Sequence, residues 1–176
     1  VVALAEIGDK TQLLAFILAA RFKKPLPIIA GILCATVINH GLAGALGAWI
    51  KAGGGFMTLI GYADPSEIQN VNKLLAPHGM SYGPEQILQK QGANTVPVTN
   101  WVAHPVTNGV TMIGVDNGYP VNGAGLVLAT EQSWNLLRAQ EVSAGKVLVW
   151  GDEWLTFDSE WSGHPEYQVE LLWLNA

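Results

Sequence analysis

The chain has 176 residues, of which 49% are hydrophobic and 13% are charged, and its formal net charge is −5. That sum hides a contrast, because residues 1–50 hold four bases and two acids, whereas residues 51–176 hold five bases and twelve acids. The acidic part lacks the basic face that phosphate binding requires, which excludes nucleic acid as a partner. The contrast predicts a membrane helical hairpin over residues 1–50 and a soluble domain over residues 51–176.

The first apolar run, from Val1 to Ala20, is interrupted by the charged stretch Glu6-Ile7-Gly8-Asp9-Lys10-Thr11. On a helix, Glu6 and Asp9 are i,i+3 neighbours and share one face. A charge at the bilayer centre costs about 2.5–3.5 kcal/mol on insertion scales, so such residues usually face a cavity, a partner helix or an ion path. Carboxylates with the Thr11 hydroxyl nearby are hard oxygen ligands of the kind that suits Ca²⁺, Mn²⁺ or Mg²⁺.

The second apolar run, from Pro27 to Ile50, has about the length of a membrane-spanning helix. The basic loop at residues 21–24 joins the two runs and is expected to be cytoplasmic, which places the soluble domain on the extracytoplasmic side. Asn39 and His40 are the strongly polar residues of the second run. They either complete a polar path with the carboxylates of the first run, or satisfy each other or a backbone carbonyl.

At Glu6 to Thr11 the chain resembles the Golgi and bacterial calcium/manganese cation exchangers, which are marked by Glu-x-Gly-Asp-Lys/Arg-Thr/Ser. The resemblance extends from about Val1 to Trp49 and includes the helix "ATVINHGLAGALGAWI". It implies cation/proton exchange of Mn²⁺ or Ca²⁺ in the lipid bilayer, with Glu6 and Asp9 as metal ligands, Thr11 as a helper and no tightly bound cofactor.

Members of that family carry the motif twice, in two inverted halves, whereas this chain carries it once. Alternating access needs two halves around a midplane site. A second copy of the chain or a second repeat is therefore expected to complete the cation site, and the chain is expected not to be a complete transporter by itself.

From Gly53 onward the pattern changes to that of an α/β domain. A Gly-rich turn leads into a buried strand at "GGGFMTLIGY", and a helix is predicted over Pro65 to Leu75. Residues 82–99 are predicted to be loop with one short strand, and Tyr167 to Leu174 to be a closing helix. Further strands are predicted at "GVTMIGV", "GLVLATE" and "KVLVWGDEW", with turns at Asn117-Gly118, Asn122-Gly123 and Ala144-Gly145.

Residues 52–176 resemble the class I glutamine-amidotransferase-like fold. The resemblance rests on "AGGGFMTLIGY", "NVNKLLAPHGMSYG", "HPVTNGV", "GKVLVWGDEW" and "VELLWLNA". It implies a Rossmann-type α/β domain that is incomplete, because the strand and helix that normally precede the Gly-rich entry are absent. Glutamine hydrolysis needs a nucleophilic Cys, and the one cysteine, Cys34, lies in the apolar segment. The domain is therefore expected to be noncatalytic.

Acidic residues follow the strand "VLVWG", at the edge where ligands commonly bind in open α/β sheets. They give a candidate ligand site made of Asp152, Glu153, Asp158 and Glu160. Asp152 and Glu153 are alternatively caps of a turn or helix, and His104 and His164, each before a proline, are expected to be turn residues rather than metal ligands. The Trp side chains are either a carbohydrate-stacking platform or core and rim packing: Trp101, Trp150, Trp154, Trp161 and Trp173.

The junction between the two parts falls within Leu46 to Ala52 and has no Pro- or Ser-rich linker. This arrangement is compatible with a natural fusion, a misassembled reading frame or a designed chimera, and the composition at both termini predicts a fragment. Two functions follow. The first is a piece of a membrane cation exchanger fused to a noncatalytic α/β domain. The second is a noncatalytic extracytoplasmic binding or structural domain with a helical N-terminus.

Overall fold

A computed structural model describes residues 25–61, 65–92 and 95–176. The chain divides into two compact units, Val1–Gly47 and Ala48–Ala176. The expected helix over residues 1–20 and the basic loop at residues 21–24 lie outside the described residues. The two-helix hairpin is therefore not confirmed, and the described part of the first unit consists of one helix.

That helix, α1, spans Pro25–Lys51. It begins at a proline, whose fixed φ and missing N–H suit the first helical turn. The segment Ala30–Lys51 is long and apolar enough to cross a membrane, and the 18-residue window of it that meets this criterion has no buried residue. A helix with apolar side chains all round is typical of a membrane span or a buried core helix. The exposed large apolar side chains on α1 include Leu26, Ile32, Leu33, Val37, Ile38 and Leu42.

The second unit is built on a mixed five-stranded sheet. Its strands are β1 (Gly55–Thr58), β5 (Asn100–Trp101), β9 (Leu126–Glu131), β10 (Trp134–Val142) and β11 (Gly145–Trp150), in the order β1-β11-β10-β9-β5. β1 and β11 are parallel, with Gly55 opposite Lys146 and Thr58 opposite Val149. The other three pairings in this sheet are antiparallel. A mixed α/β domain is thus present, whereas the Rossmann-type and amidotransferase-like details are not confirmed.

Three two-stranded antiparallel pairs extend the unit. They are β2 (Met80–Tyr82) with β8 (Val121–Gly123), β3 (Leu88–Gln89) with β7 (Asn117–Gly118), and β4 (Val96–Val98) with β6 (Ile113–Val115). The turns predicted at Asn117-Gly118 and Asn122-Gly123 are wrong, because the first pair of residues lies in β7 opposite β3 and the second lies in β8 opposite β2. The single short strand predicted within residues 82–99 is likewise two strands, β3 and β4.

Three helices complete the second unit: α2 (Pro65–Leu75), α3 (Asp158–Gly163) and α4 (Val169–Asn175). The prediction of α2 is confirmed, and its apolar residues Ile68 and Leu75 are buried. The closing helix begins two residues later than predicted, at Val169, because Tyr167 lies before it in a turn and donates its backbone N–H to the His164 carbonyl.

Strand β10 was not predicted from the sequence. Its ladder with β9 shifts register around Asn135 and Leu137, and the neighbouring residues Leu136 and Leu137 are both fully buried. A strand with such an irregularity does not alternate apolar and polar residues, so the period-two signal is lost. The longest strand of the sheet therefore lacks the alternating pattern that would predict it.

The hydrophobic core joins the sheet to the β4/β6 pair and to α4. Trp150, at the end of β11, is fully buried and stacks on Trp101 with ring centroids 5.9 Å apart. The Tyr82 hydroxyl donates a hydrogen bond to the Trp150 carbonyl, which connects β2 to the end of β11. Members of the core include Val98, Ile113, Leu128, Leu136, Leu148, Leu155 and Leu172. This packing fixes the loop that follows β11.

Candidate functional site

The cation motif falls on undescribed residues, so the geometry of Glu6, Asp9 and Thr11 is outside the described structure. Of the two polar-path candidates, Asn39 lies on α1 and its side chain is not described. His40 is exposed on the same helix, and its Nδ1 lies 2.8 Å from the Thr36 carbonyl oxygen. Its ring thus bonds a backbone carbonyl one turn earlier.

The second unit offers a site at the carboxyl edge of β1 and β11. Because these strands are parallel, the residues that follow them emerge at the same edge, where open α/β sheets commonly bind ligands. A pocket of about 380 Å³ lies there, between the end of β1, the first turns of α2 and the loop after β11. It is lined by Leu59, Ile60, Gly61, Glu67, Asn70, Val71 and Glu153. Glu153 is the one predicted site residue that lines it.

Asp152, the residue before Glu153, is buried in the domain and does not line the pocket. It is 1% exposed, and its Oδ1 accepts a hydrogen bond from the Trp154 backbone N–H at 2.9 Å. Its Oδ2 accepts hydrogen bonds from the backbone N–H groups of Asp116 and Asn117. Burial raises the pKa of Asp152 to about 6, although these three donors favour the charged form. Asp152 therefore ties the loop after β11 to the loop after β6.

Glu160 is the fully buried acid of α3. Its Oε1 accepts a hydrogen bond from the Gly114 backbone N–H at 3.2 Å, and its Oε2 has no partner among the described residues. Burial, followed by the nearby charge of Asp152, raises the pKa of Glu160 to about 8. At neutral pH this carboxyl is consequently mostly protonated.

A third acid, Asp116, belongs to the same buried group and was not identified from the sequence. Its Oδ2 forms an ion pair with Lys90 Nζ at 2.9 Å and accepts a hydrogen bond from Asn117 Nδ2. Lys90 Nζ also lies 5.0 Å from the centre of the Trp154 ring. In the described ranges, no three His, Cys, Asp or Glu side chains are arranged to hold a metal ion. Asp116, Asp152 and Glu160 thus form a buried group, which we call the clamp, that links the strand and loop at residues 114–117 to the loop after β11 and to α3.

The four acids predicted as one ligand site are thus in three environments. Asp152 and Glu160 are buried in the clamp, and Glu153 lines the pocket. Asp158 is exposed at the first residue of α3, where a negative charge suits the helix dipole. Sequence reasoning missed Glu67 and Asn70, which reach the pocket from α2. Finding them requires the parallel pairing of β1 with β11, which places the first turns of α2 and the loop after β11 at the same edge of the sheet.

The histidines expected to be turn residues have that role. His104 Nδ1 accepts a hydrogen bond from the Val106 backbone N–H and caps the short turn Pro105–Thr107. His164 Nδ1 lies 3.0 Å from Glu166 Oε1, and its ring stacks on Tyr167. The hydrogen bond to His164 lowers the pKa of the exposed Glu166 carboxyl.

The Trp residues divide between core and surface. Trp101 and Trp150 stack in the core, as described above, and Trp154 stacks on Phe157 with ring centroids 5.1 Å apart. Trp161 and Trp173 both donate their indole N–H to the Leu155 carbonyl, while 46% and 37% of their surfaces remain exposed. The two rings therefore approach one carbonyl from the rim of the unit.

Comparison with known proteins gives different results for the two parts. Residues 1–60 of the 176 match the family model described as the divalent cation/proton antiporter GDT1. A putative manganese exporter of Vibrio cholerae serotype O1, strain O395, is 67% identical over 46 residues, which are 26% of this chain and 23% of that protein. The chain thus spans about a quarter of the curated relative that it matches. The N-terminal segment is thus similar to proteins of cation-exchanger type.

Solved structures resemble a larger share of the chain. The mmIFT52 N-terminal domain superposes with a TM-score of 0.58 at 13% identity, covering 76% of this chain and 70% of that one. A cytoplasmic protein from Salmonella typhimurium LT2, STM1381, gives a TM-score of 0.56 at 16% identity, covering 76% of this chain and 60% of that one. At such identities the likeness shows a shared fold alone.

Proposed function

We propose that the N-terminal segment is a fragment of a membrane divalent-cation exchanger that handles Mn²⁺ or Ca²⁺, fused to a noncatalytic α/β domain. Glu6 and Asp9 are the metal ligands, and Thr11 supplies a further oxygen. The observation that carries this proposal is the family match over residues 1–60, supported by 67% identity over 46 residues to the Vibrio protein named as a putative manganese exporter. The apolar helix α1 agrees with insertion into a bilayer.

Cation binding tests the ligand assignment. The full chain is placed in lipid nanodiscs, and bound Mn²⁺ is measured from the loss of the aqueous Mn²⁺ signal in electron paramagnetic resonance. Even outer-shell changes cost 10–100-fold in metal affinity, so Glu6→Gln and Asp9→Asn should each weaken binding by at least about tenfold. Glu85→Gln, an exposed acid of the second unit, is the matched control. Equal binding by all four proteins would refute the assignment.

Transport tests whether one motif suffices. The chain carries the motif once, so we propose that a second copy or a second repeat completes the pathway. Manganese uptake is measured in proteoliposomes at increasing numbers of chains per vesicle. Exchange should be absent at one chain per vesicle and appear only at higher copy number. Flux from isolated single chains would show that the chain is a complete transporter and overturn this part of the proposal.

Orientation is the next part of the proposal: the basic loop at residues 21–24 is cytoplasmic and the α/β domain is extracytoplasmic. Cys34 is the one cysteine, so Cys34→Ser provides a cysteine-free background. In that background, Gln89→Cys, at an exposed position, should react with a membrane-impermeant maleimide in intact cells. Lys23→Cys should react only after permeabilisation. The reverse labelling pattern would contradict the orientation.

The second candidate function is a noncatalytic binding or structural domain of amidotransferase-like fold, with α1 as a helical N-terminus. Two observations favour it: the parallel β1/β11 pair with a pocket at its carboxyl edge, and the absence of cysteine from residues 48–176. Without a thiolate nucleophile, glutamine hydrolysis has no starting group. Ammonia release from glutamine by the full chain should equal the rate without protein, and release above that rate would show an enzyme.

A further inference from the structure

The pocket at the carboxyl edge of β1 and β11 has walls of two kinds. One wall is apolar, and its side chains come from Leu59, Ile60 and Val71. The other wall carries two carboxylates and an amide, which come from Glu67, Glu153 and Asn70. Among the described residues, no Lys, Arg or His lines the pocket. Its volume of about 380 Å³ lies in the range typical of small-molecule sites.

The Glu153 side chain fits at its position in the pocket because residue 61 is a glycine. A Cβ built on Gly61 would overlap the Cδ, Oε1 and Cγ atoms of Glu153, so the acid occupies the space that any other residue at 61 would fill. Gly61 itself is buried, whereas Glu153 is exposed toward the pocket. Among the described residues, no hydrogen bond is made by the Glu153 carboxylate oxygens. This carboxylate is therefore available to accept hydrogen bonds from a ligand.

We propose that the pocket binds a small organic cation: an ammonium or guanidinium group carried on an apolar stem. Glu153 and Glu67 supply the negative charge, the Asn70 side-chain oxygen is a further acceptor, and the stem packs on Leu59 and Val71. Hydrogen bonds between a cationic donor and a carboxylate are the stronger kind. An anion, which the N-terminal end of a helix otherwise favours, is repelled here by the two carboxylates.

This inference rests on the second candidate function, the binding domain, and is independent of the cation-transport proposal. All of the lining residues belong to the unit Ala48–Ala176. The ligand class follows from the charge of the lining and from the apolar wall beside it.

Calorimetric titration of the purified full chain tests the ligand class. The probes are diaminobutane and agmatine, and butanediol is the neutral compound of similar length, all at constant ionic strength. We expect the two cations to bind and the diol not to bind. At a probe concentration ten times the Kd, the Tm of the second unit should rise by about 3–6 °C, followed by Trp fluorescence.

Variants test whether binding occurs in this pocket. Glu153→Gln removes one charge, and Gly61→Ala displaces the Glu153 side chain without changing any charge. Each should weaken binding of diaminobutane about fivefold or more, as expected for the loss of a charged hydrogen-bond acceptor. Glu85→Gln makes the same charge change at an exposed position away from the pocket lining, and it should leave the Kd unchanged.

Failure of the proposed ligand class and failure of the binding-domain function give different results in these experiments. Equal binding of butanediol and diaminobutane, or equal loss in Glu85→Gln and Glu153→Gln, would overturn the cation class or its location while leaving a binding domain. Absence of binding by all three probes to the full chain would overturn both the ligand class and the binding-domain function at this pocket. Neither result bears on Mn²⁺ binding by the N-terminal motif.

Discussion

At the scale of single residues, neighbours in the sequence have opposite roles. Asp152 is held by three backbone N–H groups inside the clamp, whereas Glu153, the next residue, lines the pocket. Sequence reasoning predicted that acids would gather after β11, because strand ends position ligands. It did not separate the two acids, since two of the three donors to Asp152, the N–H groups of Asp116 and Asn117, lie far away in the chain.

Glu160 gives a prediction about pH. Its folded-state pKa of about 8 is above its ordinary value of 4.5, so its contribution to stability is fully present below pH 4.5 and is lost as the pH rises through 8. Asp152, whose pKa is about 6, makes most of its own change in the free energy of unfolding at lower pH. The free energy of unfolding of the full chain should therefore fall between pH 6.5 and 9.

Glu160→Gln should flatten that fall, because an amide keeps an acceptor for the Gly114 N–H and cannot ionise. The measurement is urea unfolding followed by Trp fluorescence at several pH values. Asp158→Asn, on the same short helix but exposed, should retain the fall seen in the unmodified chain. A pH profile that is identical in the unmodified chain and in Glu160→Gln would contradict the assigned role.

At the scale of elements, α2 is fastened to β2 by one side chain. Asn72 Nδ2 donates a hydrogen bond to the Tyr82 carbonyl at 3.0 Å, and Asn72 Oδ1 accepts one from the Tyr82 N–H at 2.7 Å. The amide thus occupies the place of a neighbouring strand on β2. The two contacts also fix the helix that supplies Glu67 and Asn70 to the pocket.

Asn72→Ala should lower the free energy of unfolding by about 1–3 kcal/mol, because it leaves two backbone groups of a buried residue without partners. Chemical denaturation of the full chain measures the effect. Gln69→Ala, an exposed position of α2, is the control and should change stability by no more than about 0.5 kcal/mol. Equal effects of the two substitutions would show that the Asn72 bonds do not fasten the helix.

The elements were predictable where the local signals agree. The helix-opening signal at Asp64 or Ser66 and the Gly-rich entry to β1 gave both elements correctly. β10 was missed because of its bulge, and β7 was taken for a turn because Asn-Gly is a turn signal when read alone. The pocket residues Glu67 and Asn70 required the parallel pairing of β1 with β11, which no local pattern encodes.

At the scale of the whole molecule, the family match and the structural division end at different places. The match extends to residue 60, whereas the first compact unit ends at Gly47 and α1 ends at Lys51. The matched sequence therefore includes β1, an element of the α/β unit. The difference in charge between residues 1–50 and 51–176 predicted a domain boundary near residue 50. The junction residues Leu46 to Ala52 are compatible with the end of a membrane helix and with the helix before a Gly-rich strand.

Membrane association is the prediction at this scale. The full chain should sediment with membranes after detergent-free lysis, and Val37→Arg, at an exposed apolar position of α1, should shift it toward the soluble fraction. A central arginine costs about 2.5–3.5 kcal/mol on insertion scales. Leu126→Arg, at an exposed apolar position of β9, is the matched control and should not change the distribution. Release of both variants alike would argue against a membrane role for α1.

The pairing of β1 with β11 has a consequence for synthesis. β1 is an edge strand with β11 as its neighbour in the sheet, and β11 is made only after the whole intervening chain from Leu59 to Ala144. During translation α1 emerges long before β1 has a partner, so the two units mature at separate times. Until β11 is made, β1 has unpaired backbone groups and follows a strongly apolar helix in the sequence, and exposed strand edges of this kind favour aggregation. Early insertion of α1 into a bilayer would keep this apolar helix away from the unpaired edge of β1 until β11 is made.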